Sequence, residues 1–165
     1  MFGAPETKPA TTDLIKDGSE ITFMEDVIAP SDTTPVIVDF WATWCGPCLQ
    51  AMPHMESLHQ AIKDRKDITI VGVNVMDETP SSRLLGFLKS KNITPTYAMA
   101  ADDGRQGPVA KHWLAPLGIN GIPHVLALRD GAVLWRGHPG KLNLEMLETM
   151  SKPDFKSGTP VVDPA

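Results

Sequence analysis

The stretch that decides the fold is VIVDFWATWCGPC, residues 36–48. Its first half is apolar except for one acid and is rich in β-branched and aromatic residues, which predicts a buried strand. Its last residues hold both cysteines of the chain, separated only by Gly46 and Pro47. A proline suits the first turn of a helix, where its missing N–H costs nothing. The stretch therefore predicts a strand, a short turn and a helix, with two thiols at the start of that helix.

Outward from this stretch, strand-like runs alternate with helical patterns. Apolar residues at Ala51, Met55, Leu58 and Ile62 follow a helical period after the cysteines. The other predicted elements are strands at 68–75 and 96–100, helices at 81–90, 109–117 and 143–150, a hairpin at 125–135 with an Asp130-Gly131 turn, and a small hairpin at 17–23. The alternation predicts an α/β fold with a mixed central sheet flanked by helices, whose closing hairpin supplies the antiparallel edge.

Composition indicates one compact domain. The chain has 165 residues, of which 42% are apolar, enough to bury a core without covalent staples. Polar, proline-containing ends predict flexible tails at residues 1–12 and 154–165, with the domain at 13–153. The net charge of −5 argues against binding to nucleic acid or to an anionic membrane surface. A monomer is expected.

Targeting signals are not apparent in the sequence. No run approaches the roughly 18 apolar residues that span a bilayer, and no basic segment followed by an apolar one comes after Met1. The sequence as it stands predicts a cytoplasmic protein without a membrane span. If a signal or anchor has been removed, a periplasmic or other extracytoplasmic location is the alternative.

The cysteine pair allows several kinds of site. A structural zinc needs four ligands, and the chain offers this one pair and five histidines that are not grouped, His54, His59, His112, His124 and His138. No metal site is therefore predicted, although a metallochaperone that combines the pair with a distant histidine stays an alternative. A disulfide that closes so short a loop would remove almost no chain entropy, so a purely structural bridge is disfavoured. Redox chemistry is the favoured interpretation.

The position of the pair gives the two thiols unequal tasks. Cys45 falls at or just before the N-terminus of the predicted helix, where free backbone N–H groups and the helix dipole stabilise a thiolate. Cys48 lies one turn further in and is expected to be more buried. We therefore expect Cys45 to be the exposed nucleophile and Cys48 to be the thiol that resolves a mixed disulfide. Gly46 would let a partner chain approach closely.

These residues resemble the active site of thioredoxins, in which WCGPC lies at a strand–helix junction. Further matches are Asp39, six residues before Cys45; Trp41 and Trp44; Pro53, five residues after Cys48; and Gly121-Ile122-Pro123 before an apolar strand. The resemblance covers about residues 20–150. It implies a thioredoxin-like fold and membership of the thioredoxin superfamily.

One spacing differs from that of a minimal thioredoxin. Cys48 and Pro123 are 75 positions apart, which leaves room for an additional helix and strand. An inserted αβ unit together with an N-terminal extension resembles the TlpA/ResA-like branch of thiol:disulfide oxidoreductases, whose members commonly act outside the cytoplasm, often in cytochrome c maturation. Asp39 and the Gly46-Pro47 dipeptide resemble cytosolic thioredoxin instead.

The resemblance also implies roles for single residues. Asp39 would lie beneath Cys48, with a pKa raised by burial, and would accept the Cys48 proton; a purely structural acid is the alternative. Pro123 would be cis and would pack against the disulfide, with the Ile122 backbone presented to an extended substrate. Trp44 and Pro47 would complete the docking surface. His124 departs from the family, which usually has threonine there, and is either a polar strand end or a neighbour of the thiols that stabilises the Cys45 thiolate.

The resulting hypothesis is an enzyme that reduces protein disulfides. Gly-Pro between the cysteines resembles the reducing members of the family. The Cys45–Cys48 pair would itself carry the electrons, so no separate cofactor is expected, and the partners would be a protein disulfide and an upstream thiol reductant. Two alternatives are a thioredoxin-fold metallochaperone or partner-binding module and a thiol peroxidase. The peroxidase is disfavoured because the Pro-x-x-x-Thr-x-x-Cys pattern of peroxiredoxins is absent around Cys45.

Overall fold

The computed structural model describes residues 15–17 and 34–155, which form a single six-stranded sheet in the order β1-β4-β3-β2-β5-β6. The strands are β1 Ile15–Asp17, β2 Val36–Trp41, β3 Thr69–Asn74, β4 Ala98–Ala101, β5 His124–Arg129 and β6 Ala132–Gly137. The helices are α1 Gly46–Ile62, α2 Leu84–Ser90 and α3 Leu144–Ser151, with 3₁₀ turns at Ser81–Arg83 and Pro139–Lys141 and a π-helical turn at Ala110–Leu114.

The sheet is mixed, as the alternating pattern predicts. The central strand β2 runs parallel to β3 and antiparallel to β5, and β5 and β6 form an antiparallel hairpin at the edge. Asp130 and Gly131 close this hairpin with φ angles of 57° and 73°. Two consecutive positive φ angles are those of the tight hairpin turn that Asp-Gly sequences favour. The predicted α/β fold class is confirmed.

The long interval between Cys48 and Pro123 contains an additional helix and strand. After β3 the chain forms the Ser81–Arg83 turn and α2, and returns as β4 on the outer side of β3, parallel to it. β1 then pairs in parallel with β4. This is the inserted αβ unit that the spacing predicts, and it widens the sheet on the side of β3.

The two faces of the sheet bury different sets of side chains. We call one the α1 face: it carries Ile37 and Trp41 of β2, which pack in one cluster with the cysteines and the apolar side of α1. The other, which we call the opposite face, carries Val36, Val38 and Phe40, packed with residues of the π-helical turn. Because successive side chains of a strand point to opposite faces, Asp39 shares the α1 face with the two cysteines.

Two expectations about local structure need correction. The predicted helix at 109–117 is a π-helical turn over Ala110–Leu114 followed by a turn that ends at Gly118, whose φ is 73°. Pro116 lacks the N–H that a continued helix would need. In α1 the buried side chains are Met52, Met55, Leu58 and Ile62 rather than Ala51.

The domain also extends beyond the predicted boundary at residue 153. Phe155, predicted to lie in the C-terminal tail, is buried in the α1-face cluster, and its carbonyl oxygen accepts a hydrogen bond of 2.6 Å from Arg129. Residues 1–12, residues 156–165 and most of the small hairpin predicted at 17–23 lie outside the described residues. No helix of the described part is long and apolar enough to cross a membrane.

Candidate active site

The two cysteines form a disulfide at the N-terminus of α1. Cys45 is the N-cap residue, in extended conformation, and its Sγ accepts a hydrogen bond of 3.1 Å from the backbone N–H of Cys48. The Cys45–Cys48 bond joins residues whose Cα atoms are 5.2 Å apart. Pro47 lies in the first turn, where no intrahelical N–H bond is lost. The Cys45 sulfur is therefore placed where one backbone N–H and the helix dipole favour a negative charge after reduction.

The predicted contrast in exposure between the two cysteines is small in this oxidised form. Cys45 is 3% exposed and Cys48 1%, so the expectation of an openly exposed Cys45 is wrong for the disulfide state. The reason is that the Cys45 sulfur is turned onto the helix N-terminus and bonded to Cys48, while both side chains pack in the α1-face cluster. The exposed groups around the disulfide are its neighbours Trp44, Gly46 and Pro47.

Asp39 is a buried acid that forms no ion pair with any residue that the structure describes. It is 2% exposed, and its Oδ2 has no hydrogen-bond partner. Burial raises the pKa of Asp39 to about 8, because removal from water disfavours the carboxylate. The acid lies on the α1 face, two residues before Trp41, where β2 leads toward the cysteines. It is therefore largely protonated at neutral pH and titrates within the pH range in which thiols ionise.

The turn between β2 and Cys45 is held by Asp77, which the sequence analysis did not single out. One oxygen of Asp77 accepts the backbone N–H of Thr43 at 2.6 Å and the Nδ2–H of Asn74 at 3.0 Å; the other accepts the Thr43 hydroxyl at 3.1 Å and the Thr79 N–H at 3.0 Å. Burial alone would raise the pKa of Asp77, but these donors lower it below its ordinary value. A polar Asn-x-x-Asp run at the carboxyl end of a buried strand is the signal that could have identified it.

Trp44 borders an open groove beside the disulfide. Its ring is 55% exposed, and its Nε1–H donates a hydrogen bond of 2.7 Å to the carbonyl oxygen of Met76. The groove has a volume of about 470 Å³ and is lined on its apolar side by Trp44, Ala110, Ala115 and Ile119. An exposed tryptophan whose indole is fixed by a hydrogen bond offers a rigid apolar contact surface.

The Ile122–Pro123 peptide bond is cis, as the resemblance implies. β5 begins at His124, which pairs with Phe40, so Pro123 lies beside the end of β2 from which the chain leads to Cys45. Ile122 is half-buried and packs against the clusters of both faces. The strand register thus brings the Ile122-Pro123 segment and the cysteine segment to the same end of the sheet.

His124 lies on the opposite face. It pairs with Phe40 across β2 and β5, and directly opposed residues share a face, so its side chain is on the other side of the sheet from the cysteines and Asp39. Burial, and secondarily the charge of Arg136, lower the pKa of His124. Its imidazole is therefore mainly neutral at pH 7. Of the two interpretations, the position fits the polar strand end.

Comparisons with known proteins agree with this architecture. The family model for thioredoxin matches residues 15–86, a range that includes Asp39 and both cysteines. The thioredoxin of Rhodospirillum rubrum is 39% identical over 67 residues, which are 41% of this chain and 62% of that protein. The thioredoxin of Streptomyces clavuligerus is 38% identical over 69 residues, 42% of this chain and 59% of that protein. The chain thus spans about three fifths of the length of these relatives.

Solved structures extend the likeness to the rest of the domain. A Chlorobium tepidum protein described as a thiol:disulfide interchange protein DsbE is 27% identical, with a TM-score of 0.53 over 67% of this chain and 72% of that one. The thioredoxin domain of a Bacteroides vulgatus thiol-disulfide oxidoreductase has a TM-score of 0.56 over 76% of this chain and 84% of that one, at 19% identity, which speaks for the fold alone.

Fold and site together define a thioredoxin-fold protein with a CxxC pair at the start of a helix. The thioredoxin family model matches residues 15–86 of the chain, and its structural neighbours are thioredoxin-like thiol:disulfide oxidoreductases, which together show a thioredoxin-like fold. The resemblance drawn from the sequence is confirmed.

Proposed function

We propose that this chain is a protein-disulfide reductase. The observation that carries the proposal is the placement of the Cys45 sulfur at the N-cap of α1, on the N–H of Cys48, with the buried acid Asp39 on the same face of the sheet. A thiolate favoured at an N-terminus is a nucleophile for disulfides. The two sulfurs carry the electron pair themselves, so the proposal includes no separate cofactor.

The reaction begins from the dithiol form. The Cys45 thiolate attacks one sulfur of the substrate disulfide, a Cys45–substrate disulfide forms, and the other substrate sulfur leaves as a thiolate that takes up a proton. Asp39, as a carboxylate, then accepts the proton of Cys48, and the Cys48 thiolate attacks the Cys45 sulfur. The mixed disulfide breaks, the second substrate thiolate leaves, and the Cys45–Cys48 disulfide holds the oxidation. Two electrons pass to the substrate, and an upstream dithiol restores the enzyme.

The substrate would dock on the exposed side of the disulfide. Trp44 supplies an apolar ring of fixed orientation, Pro47 lies exposed in the first turn of α1, and the groove beyond Trp44 continues this surface. The Ile122 backbone before Pro123 would pair with an extended segment of the substrate. A Cβ at Gly46 would meet no atom of this chain within 4 Å, so packing within the chain does not require glycine there, and the space is left for a partner.

The direction of electron flow is tested by measuring turnover and potential together. Insulin reduction with dithiothreitol as donor should proceed with wild type and be lost with Cys45→Ser. The reduction potential, measured against glutathione, should fall near the roughly −270 mV of reducing thioredoxins rather than the roughly −120 mV of strong oxidants. A potential near the oxidising end would refute the reductase direction and leave exchange chemistry intact. Metal analysis of the same preparation tests the metallochaperone alternative.

The partner is identified by trapping. Cys48→Ser should form the mixed disulfide through Cys45 without resolving it, and the trapped protein can be identified by mass spectrometry after reduction. Cys45→Ser is the matched control, because it should trap none of the same partners. A partner set shared by both variants would contradict the assignment of Cys45 as the nucleophile.

The role of Asp39 is tested by separating the two chemical steps in stopped-flow measurements. Because the acid must be ionised to accept a proton, resolution should accelerate as pH rises and level off above about pH 8. Asp39→Asn should slow resolution by about 100-fold, at the low end of the effect of a general base, and leave the initial attack nearly unchanged. If both steps match wild type, Asp39 is a structural acid.

Docking is tested at Gly46. Gly46→Ala should raise the KM for a peptide disulfide about 10-fold, because the methyl group occupies the approach of the partner, with the potential unchanged. Gly86→Ala is the matched control, since a Cβ there also meets no atom within 4 Å and Gly86 belongs to α2 of the inserted αβ unit rather than to the helix that carries the cysteines. Equal KM values for the two variants would remove Gly46 from the docking surface.

A further inference from the structure

The interior around Asp39 holds further buried polar atoms on the α1 face that the proposed reaction does not use. The Tyr97 hydroxyl and the Nδ1 of His59 have no hydrogen-bond partner, and neither has the Oδ2 of Asp39. Tyr97 is only 1% exposed. Buried polar atoms are nearly always paired in folded proteins, so a buried hydroxyl with two unpaired acceptors in its surroundings calls for a physical reason.

The ring of Tyr97 lies beside Asp39. Gly72 of β3 is the register partner of Asp39 on β2, so a side chain at position 72 would be the neighbour of the acid on the α1 face. A Cβ placed at Gly72 would lie 3.1 Å from Cε1 of Tyr97. The tyrosine, which directly precedes β4 in the inserted αβ unit, therefore occupies the space next to Asp39 that the glycine leaves open.

The Tyr97 ring also contacts His59 of α1. The ring centroids are 5.9 Å apart with an interplanar angle of 69°, an edge-to-face arrangement. His59 also lines a surface cavity of about 220 Å³ together with Lys63 and Ala98. Tyr97 thus has the buried acid as one neighbour and, as another, a histidine that reaches the protein surface.

We propose that Tyr97 is a positioning residue for Asp39: when the acid ionises, a small shift of the side chains brings the Tyr97 hydroxyl within hydrogen-bond distance of the Asp39 carboxylate, and Nδ1 of His59 is the competing acceptor when the acid is protonated. A hydroxyl has one proton to donate, and in this structure the Tyr97 hydroxyl is bonded to neither acceptor. A protonated carboxyl is a weaker acceptor than a carboxylate, so the change of partner follows the charge on Asp39.

The charged groups around Tyr97 agree with a neutral donor. Burial, then the charges of Asp39 on β2 and Glu56 on α1, raise the pKa of Tyr97 and keep its proton in place. Burial lowers the pKa of His59, opposed by Glu56 and assisted by Lys63, so its ring is a neutral acceptor. Glu56 itself is bound by the N–H and hydroxyl of Thr96 and by Gln60.

This inference rests on the proposed function only for its use in catalysis, since the pairing of Tyr97 with Asp39 is testable without turnover. The experiment follows the Asp39 carboxyl carbon by NMR in the oxidised protein across pH 5–10. In Tyr97→Phe, which keeps the ring and removes the donor, the midpoint should rise by about one pH unit, a tenfold loss in the ionisation constant. Thr94→Val, which removes an exposed hydroxyl near Tyr97 in the chain, should leave the midpoint unchanged.

Two further measurements distinguish a lost hydrogen bond from a change in packing around Asp39. His59→Phe keeps an aromatic edge on Tyr97 and removes the competing acceptor, so the Asp39 midpoint should stay or fall; a rise equal to that of Tyr97→Phe would overturn the proposal, because any disturbance of the cluster would then have the same effect. Tyr97 is the single tyrosine of the chain. In wild type its Cζ signal should therefore report the Asp39 titration directly and lose that response in Asp39→Asn.

The effect of Tyr97 on catalysis is measured in a separate experiment. If the chain reduces disulfides, the pH dependence of the resolution step should move upward in Tyr97→Phe by the same amount as the Asp39 midpoint, while the initial attack by Cys45 is unchanged. An inactive wild type with the NMR shift present would refute the proposed function and retain the pairing. An active enzyme whose Asp39 midpoint is unaffected by Tyr97→Phe would refute the pairing alone.

Discussion

The two faces of strand β2 differ in the side chains that they bury. On the opposite face, Val36, Val38 and Phe40 pack in a cluster of apolar side chains. On the α1 face, Asp39 stands between Ile37 and Trp41, in the core that also holds the disulfide. Both faces are shielded from solvent, since every residue of β2 is buried. The difference shows that burial serves stability on one side and on the other sets the protonation of a group that can take part in chemistry.

The largest expected effect of this contrast is on stability as a function of pH. Folding raises the pKa of Asp39 from 3.8 to about 8, so between these values the folded protein holds a proton that the unfolded chain has released. Stability contributed by Asp39 is therefore full below about pH 4 and falls as pH rises toward 8. At about 1.4 kcal/mol per pH unit, the loss reaches on the order of 5 kcal/mol.

Urea unfolding of the oxidised protein at a series of pH values measures this loss. Asp39→Asn, which keeps the shape and cannot ionise, is the reference at each pH. The free energy of unfolding of the variant relative to wild type should grow from pH 5 to pH 8. A constant difference over this range would show that Asp39 is paired or hydrated in solution.

On the opposite face the corresponding change should affect stability and nothing else. Phe40 is fully buried, and Phe40→Ala should lower the free energy of unfolding by about 3–5 kcal/mol through lost burial and a cavity. Because Phe40 points away from the cysteines, the midpoint of the Asp39 titration and the reduction potential should not move while the variant is folded. Leu144→Ala, at an exposed leucine of α3, is the control for a change without a cavity. A shifted potential in Phe40→Ala would show that the two faces are coupled.

A smaller effect is expected at the edge where the two faces meet the active-site turn. Asp77→Ala removes the acceptor of the Thr43 N–H and of the Asn74 amide. We expect a loss of about 2 kcal/mol in stability from these unpaired donors. The turn that carries Trp44 should also loosen, with a severalfold higher KM for a peptide disulfide.

The matched control for this change is Asp103→Ala, at an exposed acid that lines the same surface cavity as Asp77. The line width of the Trp44 indole proton reports the mobility of the turn. A loss of stability without a change in the Trp44 line width or in KM would show that Asp77 has a structural role only.

The sequence predicts the strands and helices of this protein better than it predicts the contacts between their side chains. β2 was predictable because its run is short, mostly apolar and rich in β-branched and aromatic residues, which favours a buried strand. The αβ insertion was predictable from the 75 positions between Cys48 and Pro123, because so long a segment of a compact domain has to form additional secondary structure. The neighbours of Asp39 were not: Gly72 and Tyr97 are 25 positions apart in the sequence and come together only through the register of β2, β3 and β4. Local patterns carry no information on such pairs.

The smallest expected effect concerns His124, where sequence alone left two interpretations. Its side chain shares the face of Phe40, and burial lowers its pKa, so at neutral pH it offers no charge to the Cys45 thiolate. His124→Thr should therefore shift the titration of Cys45, followed by thiolate absorbance at 240 nm in the reduced protein, by less than about 0.2 pH unit. Arg136→Gln is the companion variant, since Arg136 is the charged neighbour of His124 on that face. A clear rise in the midpoint of the Cys45 titration in His124→Thr would mean that His124 influences the thiolate from across the sheet. The two faces would then not be electrostatically independent at the start of β5.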